Sequence, residues 1–555
     1  MKTRLIGLCI FGASLGLSSC NDFLDMTPTN SISDKMMWST TTNAEYAVND
    51  LYKYFYNLSN FTLGQCAAGM TEALTDQLKY GSYNYNALCF IPSEIAYGGT
   101  TLQPSYVSTY LGNWATMYEY VRRTNENLYN LHKFGTLSDA DSERLEAEMR
   151  FIRAFLYFDL LKRYKEVIIY NEDLTQITRD KALSTEEAGW DFVEEDLNYA
   201  ATHLPDQANA NGRIDKGAAY AFLTRAMLYA KRYDKVKLAA AEVQKLGYTL
   251  ESNYADSYSK TIKDGNKEAI LQYCFDRTIG HDFDTYYTPG GDYKLIGVNS
   301  GGYGTPTQEM VESYELAEGG FPDWSTWHST EGVTDTPPYD KLEPRFQATI
   351  LYNGAQWKGR TIETFVDGVD GWCQWNKDKT PEGRSTTGYY LRKLVDENHN
   401  LSELAVSTQP WTVIRFAEVL LNYAEACYQT NDNAGANEAI KALRARVGLS
   451  YSDKSGDNLW KAIVQERKVE LAYEGQWYWD LRRWNVAAKS YEEGGLNGYQ
   501  VHGLKIEKQS NGDLKYTYVS CDDKDRNFPE KMYRCPLPQS ELDNNSAVSQ
   551  YPEWK

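Results

Sequence analysis

The chain has 555 residues, with 57 lysines and arginines against 76 aspartates and glutamates, which gives a formal net charge of −19 at pH 7. This acidic balance argues against a nucleic-acid-binding protein, which needs a basic face for the phosphates. It disfavours polyanionic ligands and anionic membrane surfaces for the same reason. The length suffices for one large core or for about two to four ordinary domains.

The N-terminal residues have the features of a secretion signal. Lys2 and Arg4 form a basic start, and Leu5–Leu17 forms a short apolar run. The run ends in the letters LSSC, which resemble a bacterial lipobox and make Cys20 the lipidated first residue of the mature chain. An anchor with more than one acyl chain attaches a protein stably to a membrane. We therefore predict a signal peptide over 1–19 and an anchored protein, and the acidic residues that follow indicate display on the outer face.

Seven cysteines remain once the signal peptide and the lipidated cysteine are set aside. None of them belongs to a CxxC pair or a His/Cys cluster, so neither a zinc site nor a redox dithiol is indicated. Cys521 and Cys535 are candidates for a disulfide, and we expect most of the others to be small core residues. The seven are Cys66, Cys89, Cys274, Cys373, Cys427, Cys521 and Cys535.

Helical patterns occupy two parts of the chain, separated by the loop-rich residues 252–412, where Gly and Pro interrupt short strand-like runs. Segments beginning at Leu223 (LTRA) and Leu421 (LNYA) repeat at an offset of 198 residues. Small residues recurring in helix pairs of about 34 residues resemble tetratricopeptide repeats. Such pairs stack because none buries its apolar face alone. Repeats of this kind can bind peptides in a groove, but here we expect them to form a scaffold.

The stretch Ile463–Asn485 combines charges with tryptophans. Three glutamates at helical spacing line one ridge, and such like charges are mildly destabilising unless they are paired. We predict that three arginines of the same stretch fold against the ridge as a partly buried structural network, in preference to a catalytic carboxylate pair. We expect the helix to end at Gly475, and we assign Trp477 and Trp484 to the core. The glutamates are Glu466, Glu470 and Glu474, and the arginines are Arg467, Arg482 and Arg483.

This stretch also carries a family resemblance. Its pattern ER-x-x-ELA-x-EG-x-x-YWDLRRW resembles the C-terminal signature of the SusD/RagB family of outer-membrane lipoproteins. Three further blocks match the same family: Glu146–Val167, the helix WTVIRFAEVLLNYAEACYQTN and the closing block YRCPLPQSELDNN. The resemblance implies a mainly α, SusD-like fold, in which four tetratricopeptide-like helix pairs support a loop-rich, partly β region for ligand binding.

The resemblance also implies a division of the chain. A lipidated tether and leading segment would occupy residues 20–42, and a single SusD-like domain would occupy residues 43–555. Within that domain we expect a helical scaffold at about 43–250 and 410–490, with a loop-rich insertion at about 252–410.

The function implied by the resemblance is glycan capture at the cell surface. The protein would pass an oligosaccharide or polysaccharide to a SusC-like TonB-dependent outer-membrane transporter, without catalysis, cofactor or metal. Two alternatives stay open at this point. One is capture of peptides, as in the RagB branch of the family. The other is a glycoside hydrolase, which needs only two carboxylates on a scaffold, although the chain has no Walker A, GxGxxG or HExxH motif and its six histidines are scattered.

Two loop stretches combine aromatic and polar side chains in the way that sugar recognition requires. A Trp or Tyr ring covers the apolar face of a pyranose, and neighbouring polar groups bind its hydroxyls. Family members carry such rings on an early loop and on a later loop, and the alternative is that half of these rings only pack loops onto the scaffold. The candidate ligand-binding residues are Tyr80, Tyr83, Tyr97, Tyr293, Trp324 and Trp327 with Asp76, Lys79 and Asn84, and a third candidate pair is Trp372 and Trp375.

Overall fold

The computed structural model describes residues 33–58, 70–80, 93–176, 178–208, 212–297, 300–374, 384–403 and 406–555. Within these ranges the protein is mainly helical, as predicted, and its ten short strands form five two-stranded antiparallel sheets. No helix in the same ranges combines the length and apolar character needed to cross a bilayer. Cys20 lies outside the described residues.

The first half of the scaffold, as far as the structure describes it, consists mainly of helices, several of which begin at a side-chain cap. Ser138, Thr185 and Asp215 each accept a hydrogen bond from the backbone N–H three residues on, which satisfies one of the free donors of a helix start. The helices include α1 (Asp34–Met37), α2 (Thr41–Leu58), α3 (Pro104–Tyr110), α4 (Trp114–Phe134), α5 (Asp139–Tyr164), α6 (Glu186–His203), α7 (Lys216–Tyr229) and α8 (Tyr233–Lys245).

The loop-rich centre of the chain has its own apolar core, separate from that of the helical scaffold. Its helices are α9 (Asp256–Ser259), α10 (Phe283–Tyr287), α11 (Gly290–Leu295), α12 (Gln308–Val311) and α13 (Pro344–Thr349). Its strands, with one that precedes them in the chain, are β1 (Leu78–Tyr80), β2 (Ala269–Tyr273), β3 (Gly304–Pro306), β4 (Ile350–Leu351), β5 (Gln356–Trp357), β6 (Arg360–Thr361), β7 (Tyr390–Leu391) and β8 (Trp411–Arg415). The pairs are β1–β3, β2–β8, β4–β7 and β5–β6.

The chain then returns to the scaffold, and the two sequence repeats pack against each other. Asn422 and Thr224 are equivalent at the offset of 198, and Asn422 Nδ2 donates to Thr224 Oγ1 at 3.0 Å. The equivalent alanines Ala226 and Ala424 are fully buried, so the two helices can approach closely. The remaining elements are α14 (Phe416–Gln429), α15 (Asn433–Arg446), α16 (Gly456–Glu470), α17 (Trp477–Arg483), α18 (Gln539–Asn544) and the hairpin strands β9 (His502–Lys508) and β10 (Leu514–Ser520).

A buried ion-pair network joins helix α16 to the loop-rich centre. Arg415, at the end of β8, is fully buried and lies 2.6 Å from a carboxylate oxygen of each of Glu268, Glu470 and Glu474. Arg345 of α13 pairs with Glu343, Glu466 and Glu470. Burial by itself would raise the pKa of Glu470. The charges of Arg446, Arg415 and Arg345 nevertheless hold this pKa well below its usual range. Glutamates and arginines therefore neutralise one another in the interior.

The predicted partners of the glutamate ridge were wrong. Arg467 pairs instead with Asp480, at 2.5 Å, and Arg483 pairs with Asp480 and Glu425. Arg482 stacks on the ring of Trp479 at 4.6 Å. Each residue turns a helix by about 100°, so position 467 lies on the flank of the ridge, where Arg467 meets Asp480. The ridge itself contacts Arg345, Arg415 and Arg446, which are distant in sequence. The helix also ends at Glu470, five residues before Gly475.

The proposed disulfide between Cys521 and Cys535 was also wrong. Both cysteines are buried free thiols. Cys521 Sγ donates to the Thr386 carbonyl at 3.0 Å, and the Cys535 backbone N–H donates to the Arg163 carbonyl at 2.8 Å. Burial raises the pKa of both thiols. They are packing residues, as expected for most cysteines of this chain.

Replacement of Arg415 tests how much the buried ion-pair network contributes to the free energy of unfolding. We expect Arg415→Met to lower the free energy of unfolding by about 3–5 kcal/mol, because it removes a buried cation that three carboxylates share. Urea unfolding followed by tryptophan fluorescence measures this loss. Arg122→Met is the matched control, since Arg122 and Glu126 form an exposed pair at 3.5 Å, for which we expect a change below about 1 kcal/mol. Equal losses in the two variants would contradict this assignment.

Candidate functional site

The two loop regions predicted to bind ligand lie side by side, because strand β1 of the first pairs with strand β3 of the second. The register places Leu78 opposite Pro306 and Tyr80 opposite Gly304. Gly304 is required by packing, since a Cβ there would lie 2.7 Å from the ring of Tyr287. The pairing therefore joins segments more than two hundred residues apart into one surface.

Asp76, a predicted ligand contact, is an internal anchor of the first region. It is 5% exposed, and its carboxylate lies 2.8 Å from Lys468 Nζ, 3.1 Å from Trp477 Nε1 and 3.3 Å from Tyr491 OH. Burial alone would raise its pKa, but Lys468 and the two hydrogen bonds hold the pKa of Asp76 below its usual range. The carboxylate oxygens of Asp76 therefore bind side chains of the protein and lie below its surface.

Lys79 and Tyr97, two further predicted contacts, form a second anchor with Asp522. Lys79 Nζ lies 2.9 Å from Asp522 Oδ1 and 2.7 Å from Tyr97 OH, and Tyr97 OH donates to the same Asp522 oxygen at 2.7 Å. Arg526 Nε also donates to Asp522, at 2.7 Å. Lys79 is buried, whereas Tyr97 is partly exposed. The anchor therefore fixes one partly exposed ring close to the end of β10.

The predicted rings differ in how far they reach the surface. Tyr80, Tyr293 and Trp324 are 2%, 8% and 6% exposed and pack inside. Trp327 is partly exposed, lies 5.6 Å from Trp324 in an edge-to-face arrangement, and donates through Nε1 to the Asp335 carbonyl at 2.8 Å. Of these four rings, Trp327 therefore presents the most surface. Tyr83, Asn84 and Trp375 lie outside the described residues.

The hairpin β9–β10 supplies residues that the sequence interpretation missed. His502 stacks on Tyr518 with ring centroids 4.4 Å apart, and His328 approaches the same ring at 4.6 Å. His502 is 2.7 Å from a Glu309 oxygen, and His328 is 2.7 Å from Glu312. Two histidines held by two glutamates thus contact one partly exposed tyrosine ring. The available signal was the turn Asn511-Gly512 between alternating residues, which is typical of a hairpin.

The hairpin lies against the turn that carries Trp327. Tyr518 N donates to the Ser329 carbonyl at 3.0 Å, and Trp327 and Tyr518 both pack against the small core of the hairpin. We call Trp327, His328, His502 and Tyr518 the aromatic face. Trp372 is also partly exposed, and its ring lies 5.4 Å from Lys505 Nζ of β9.

The chemistry of this face suits hydrogen bonding and stacking. Its rings are partly exposed, and Glu309 and Glu312 add acceptors at their edges. Burial raises the pKa of Glu309, although the neighbouring His502 acts in the opposite direction. Among the residues described, no three His, Cys, Asp or Glu side chains are grouped so that they could hold a metal ion.

Comparison with known proteins finds one family over almost the whole chain. Residues 267–554 match the profile of the SusD family, and residues 22–228 match a profile described as starch-binding associating with outer membrane. A SusD-like protein of Bacteroides ovatus is 24% identical over 503 residues, which cover 87% of this chain and 83% of that protein.

Two solved structures from Bacteroides fragilis NCTC 9343 are similar in fold. A SusD-like protein superposes with a TM-score of 0.78 at 27% identity, covering 95% of this chain and 99% of that one. A SusD-like carbohydrate binding protein superposes with a TM-score of 0.72 at 24% identity, covering 92% of this chain and all of that one.

Glu72, in the segment that precedes β1, has a buried carboxyl group that we expect to lower the free energy of unfolding at neutral pH. Glu72 is fully buried; its Oε1 accepts from Gly475 N at 2.8 Å, while its Oε2 has no hydrogen-bond partner among the described residues. Burial, with the nearby charge of Glu474, raises its pKa from 4.5 to about 7. The wild type therefore loses stability as pH rises from about 4.5 to 7, because the unfolded chain ionises first.

We expect Glu72→Gln to remove this loss. Relative to wild type, the variant should gain up to about 3 kcal/mol in free energy of unfolding between pH 4.5 and pH 8. Urea titrations at both pH values measure the gain, and Glu126→Gln, at a partly exposed helix position, is the control. A gain that is the same at both pH values would refute the assignment.

Proposed function

Because the chain belongs to the SusD family, we propose that it is a cell-surface glycan-binding protein, which captures an oligosaccharide or polysaccharide without cleaving it. Delivery to a SusC-like TonB-dependent outer-membrane transporter is the second part of the proposal. The description of the profile that matches residues 22–228 supports starch or related glycans and an outer-membrane location. The name of the carbohydrate binding relative from Bacteroides fragilis supports the same ligand class.

The observation that carries the proposal is the aromatic face on a prearranged surface. A neutral pyranose has one apolar face, which covers an aromatic ring, and a rim of hydroxyls that needs donors and acceptors. Trp327 and Tyr518 offer rings, and Glu309, Glu312 and the histidines offer polar edges. Because these groups are held by hydrogen bonds and stacking within the protein, little conformational entropy is lost on binding.

We assign different roles to the candidate residues. Tyr97 and Trp327 are proposed to contact ligand, because their rings are partly exposed. Asp76 and Lys79 are proposed to support the surface from below, because their charged groups are buried in ion pairs. For Tyr80, Tyr293 and Trp324 we propose that burial limits contact to an exposed edge. Tyr83 and Asn84 remain predictions from the sequence alone.

The binding proposal predicts the effect of losing one exposed ring. We expect Trp327→Ala or Tyr518→Ala to weaken binding to the preferred polysaccharide about 5- to 30-fold, the effect of removing about 1–2 kcal/mol of contact. Affinity electrophoresis of residues 21–555 through gels containing a panel of neutral polysaccharides identifies the ligand and measures the change. Trp324 is unsuitable for this test, because replacing a buried ring would disturb the fold.

Tyr46→Ala serves as the matched control, because Tyr46 is a 66% exposed ring on α2, outside the aromatic face. It should leave retardation unchanged. The same mixtures are assayed for released reducing ends, and their release would refute the non-catalytic part of the proposal. If no glycan retards the wild type, the glycan proposal fails, and titration with peptides tests the alternative that the sequence left open.

The anchoring proposal predicts where the protein is found. We expect the full-length protein to sediment with outer membranes and to incorporate a labelled fatty acid, because Cys20 carries the anchor. Cys20→Ala should abolish the label and release the protein from the membrane fraction. Protease treatment of intact cells then tests display on the outer face, with a periplasmic protein as control. Unchanged labelling in Cys20→Ala would exclude this cysteine as the lipidation site.

A further inference from the structure

A cavity lies apart from the aromatic face, between helices α15 and α16. It has a volume of about 920 Å³, is open to solvent, and is also lined by the loop 450–455 and by Glu315 and Phe321. Sites for small ligands in proteins typically have volumes of about 300–1,000 Å³. The cavity is therefore large enough to hold a ligand of several rings.

The inner wall of the cavity carries a neutralised ion pair. Arg444 binds Glu315 through two nitrogens, at 2.6 and 3.0 Å, and both side chains are nearly buried. Arg444 Nε also donates to the Ser450 carbonyl at 3.1 Å. The guanidinium thus connects helix α15, the loop 450–455 and the segment that leads to Phe321. At this ion pair a ligand meets oriented polar atoms whose charges neutralise each other.

The loop that forms one wall is fixed before any ligand binds. Asn437, 5% exposed on α15, accepts hydrogen bonds from Tyr451 OH at 2.8 Å and from Lys454 N at 2.9 Å. Its own amide donates to the Lys454 carbonyl at 2.9 Å. A cavity whose walls are already ordered loses less conformational entropy on binding than a flexible one.

The rim of the cavity combines aromatic rings with free polar groups. Phe321 is 53% exposed, and Tyr451 is partly exposed. Asn458 and Lys461 extend from α16 into the lining, and neither makes a side-chain hydrogen bond or ion pair with another residue that the structure describes. This combination of rings with polar side chains resembles the composition of the aromatic face.

The charges and polar atoms of the lining decide between classes of ligand. An apolar ligand would leave the polar groups unpaired, at an energetic cost. An anionic ligand would lie close to Asp453, and a cationic one close to Lys454 and Lys461. A neutral polyhydroxylated ligand uses donors and acceptors alike and can cover the exposed ring of Phe321. The lining therefore favours a neutral sugar.

We propose that this cavity is a second carbohydrate-binding site, which takes a short stretch of a neutral glycan. The inference rests on the proposed function, because it takes the ligand to be the same glycan. Phe321 and Trp327 belong to one segment of the chain, with Phe321 at the cavity and Trp327 on the aromatic face. Two separate sites increase the avidity for a polysaccharide that occupies both.

The experiment compares the two sites by stoichiometry. A soluble oligosaccharide of the polysaccharide that retards the wild type is titrated calorimetrically into residues 21–555, and we expect two molecules to bind per chain. Phe321→Ala with Asn458→Ala should leave one, and Trp327→Ala with Tyr518→Ala should also leave one. In affinity electrophoresis we expect Phe321→Ala alone to weaken retardation about 5-fold or more. Tyr46→Ala is again the matched control.

The outcomes separate this inference from the proposed function. The second site is refuted if the wild type binds one oligosaccharide per chain and the double variant Phe321→Ala/Asn458→Ala binds it with the same stoichiometry and affinity. Glycan binding by the protein would still stand in that case. If the wild type binds no glycan, the proposed function and the second site both fail. The melting temperature of each variant is measured to check that it folds. If the double variant is unstable, the single variant Asn458→Ala replaces it, because Asn458 is exposed.

Discussion

The structure depends on a buried network of arginines and carboxylates between the helical scaffold and the loop-rich centre. Glu470 of α16 lies within ion-pair distance of Arg345, Arg415 and Arg446, and each arginine comes from a different element. An unpaired charge in the interior is costly, so these groups have to be brought together as a set. This requirement sets the position of the loop-rich region relative to helix α16.

The same physical arrangement recurs beneath the candidate binding surface. Asp522 brings together Lys79, Tyr97 and Arg526, and Asp76 brings Lys468 to Trp477 and Tyr491. The polar residues Asp76 and Lys79 of the early loop thus act mainly inside the protein. The hydrogen bonds of Lys79 and Asp522 also orient the ring of Tyr97. A surface of this kind suits recognition of a neutral ligand, because its own charges are already paired and its rings need no reordering.

Much of the fold was predictable because it follows from local patterns. The repeats at Leu223 and Leu421 predicted stacked helix pairs, and the structure brings the equivalent residues Asn422 and Thr224 of the two repeats into contact. The candidate site was predictable only as a region: its loops adjoin through β1 and β3, but burial of Asp76 and Lys79 was not evident. Tyr518, His328 and His502 were missed, since 174 residues separate the two histidines that contact one ring.

By itself, the sequence determined the family, the helical scaffold and the loops that carry the aromatic residues. These properties are encoded by residue spacing and by signature blocks, which can be recognised without knowing what each block touches. Only the tertiary structure decided which arginine meets which glutamate, which cysteines remain free, and which rings reach the surface. Those outcomes depend on contacts between distant segments: helical periodicity shows that Glu466 and Glu470 share a face, but it does not show which residues that face meets.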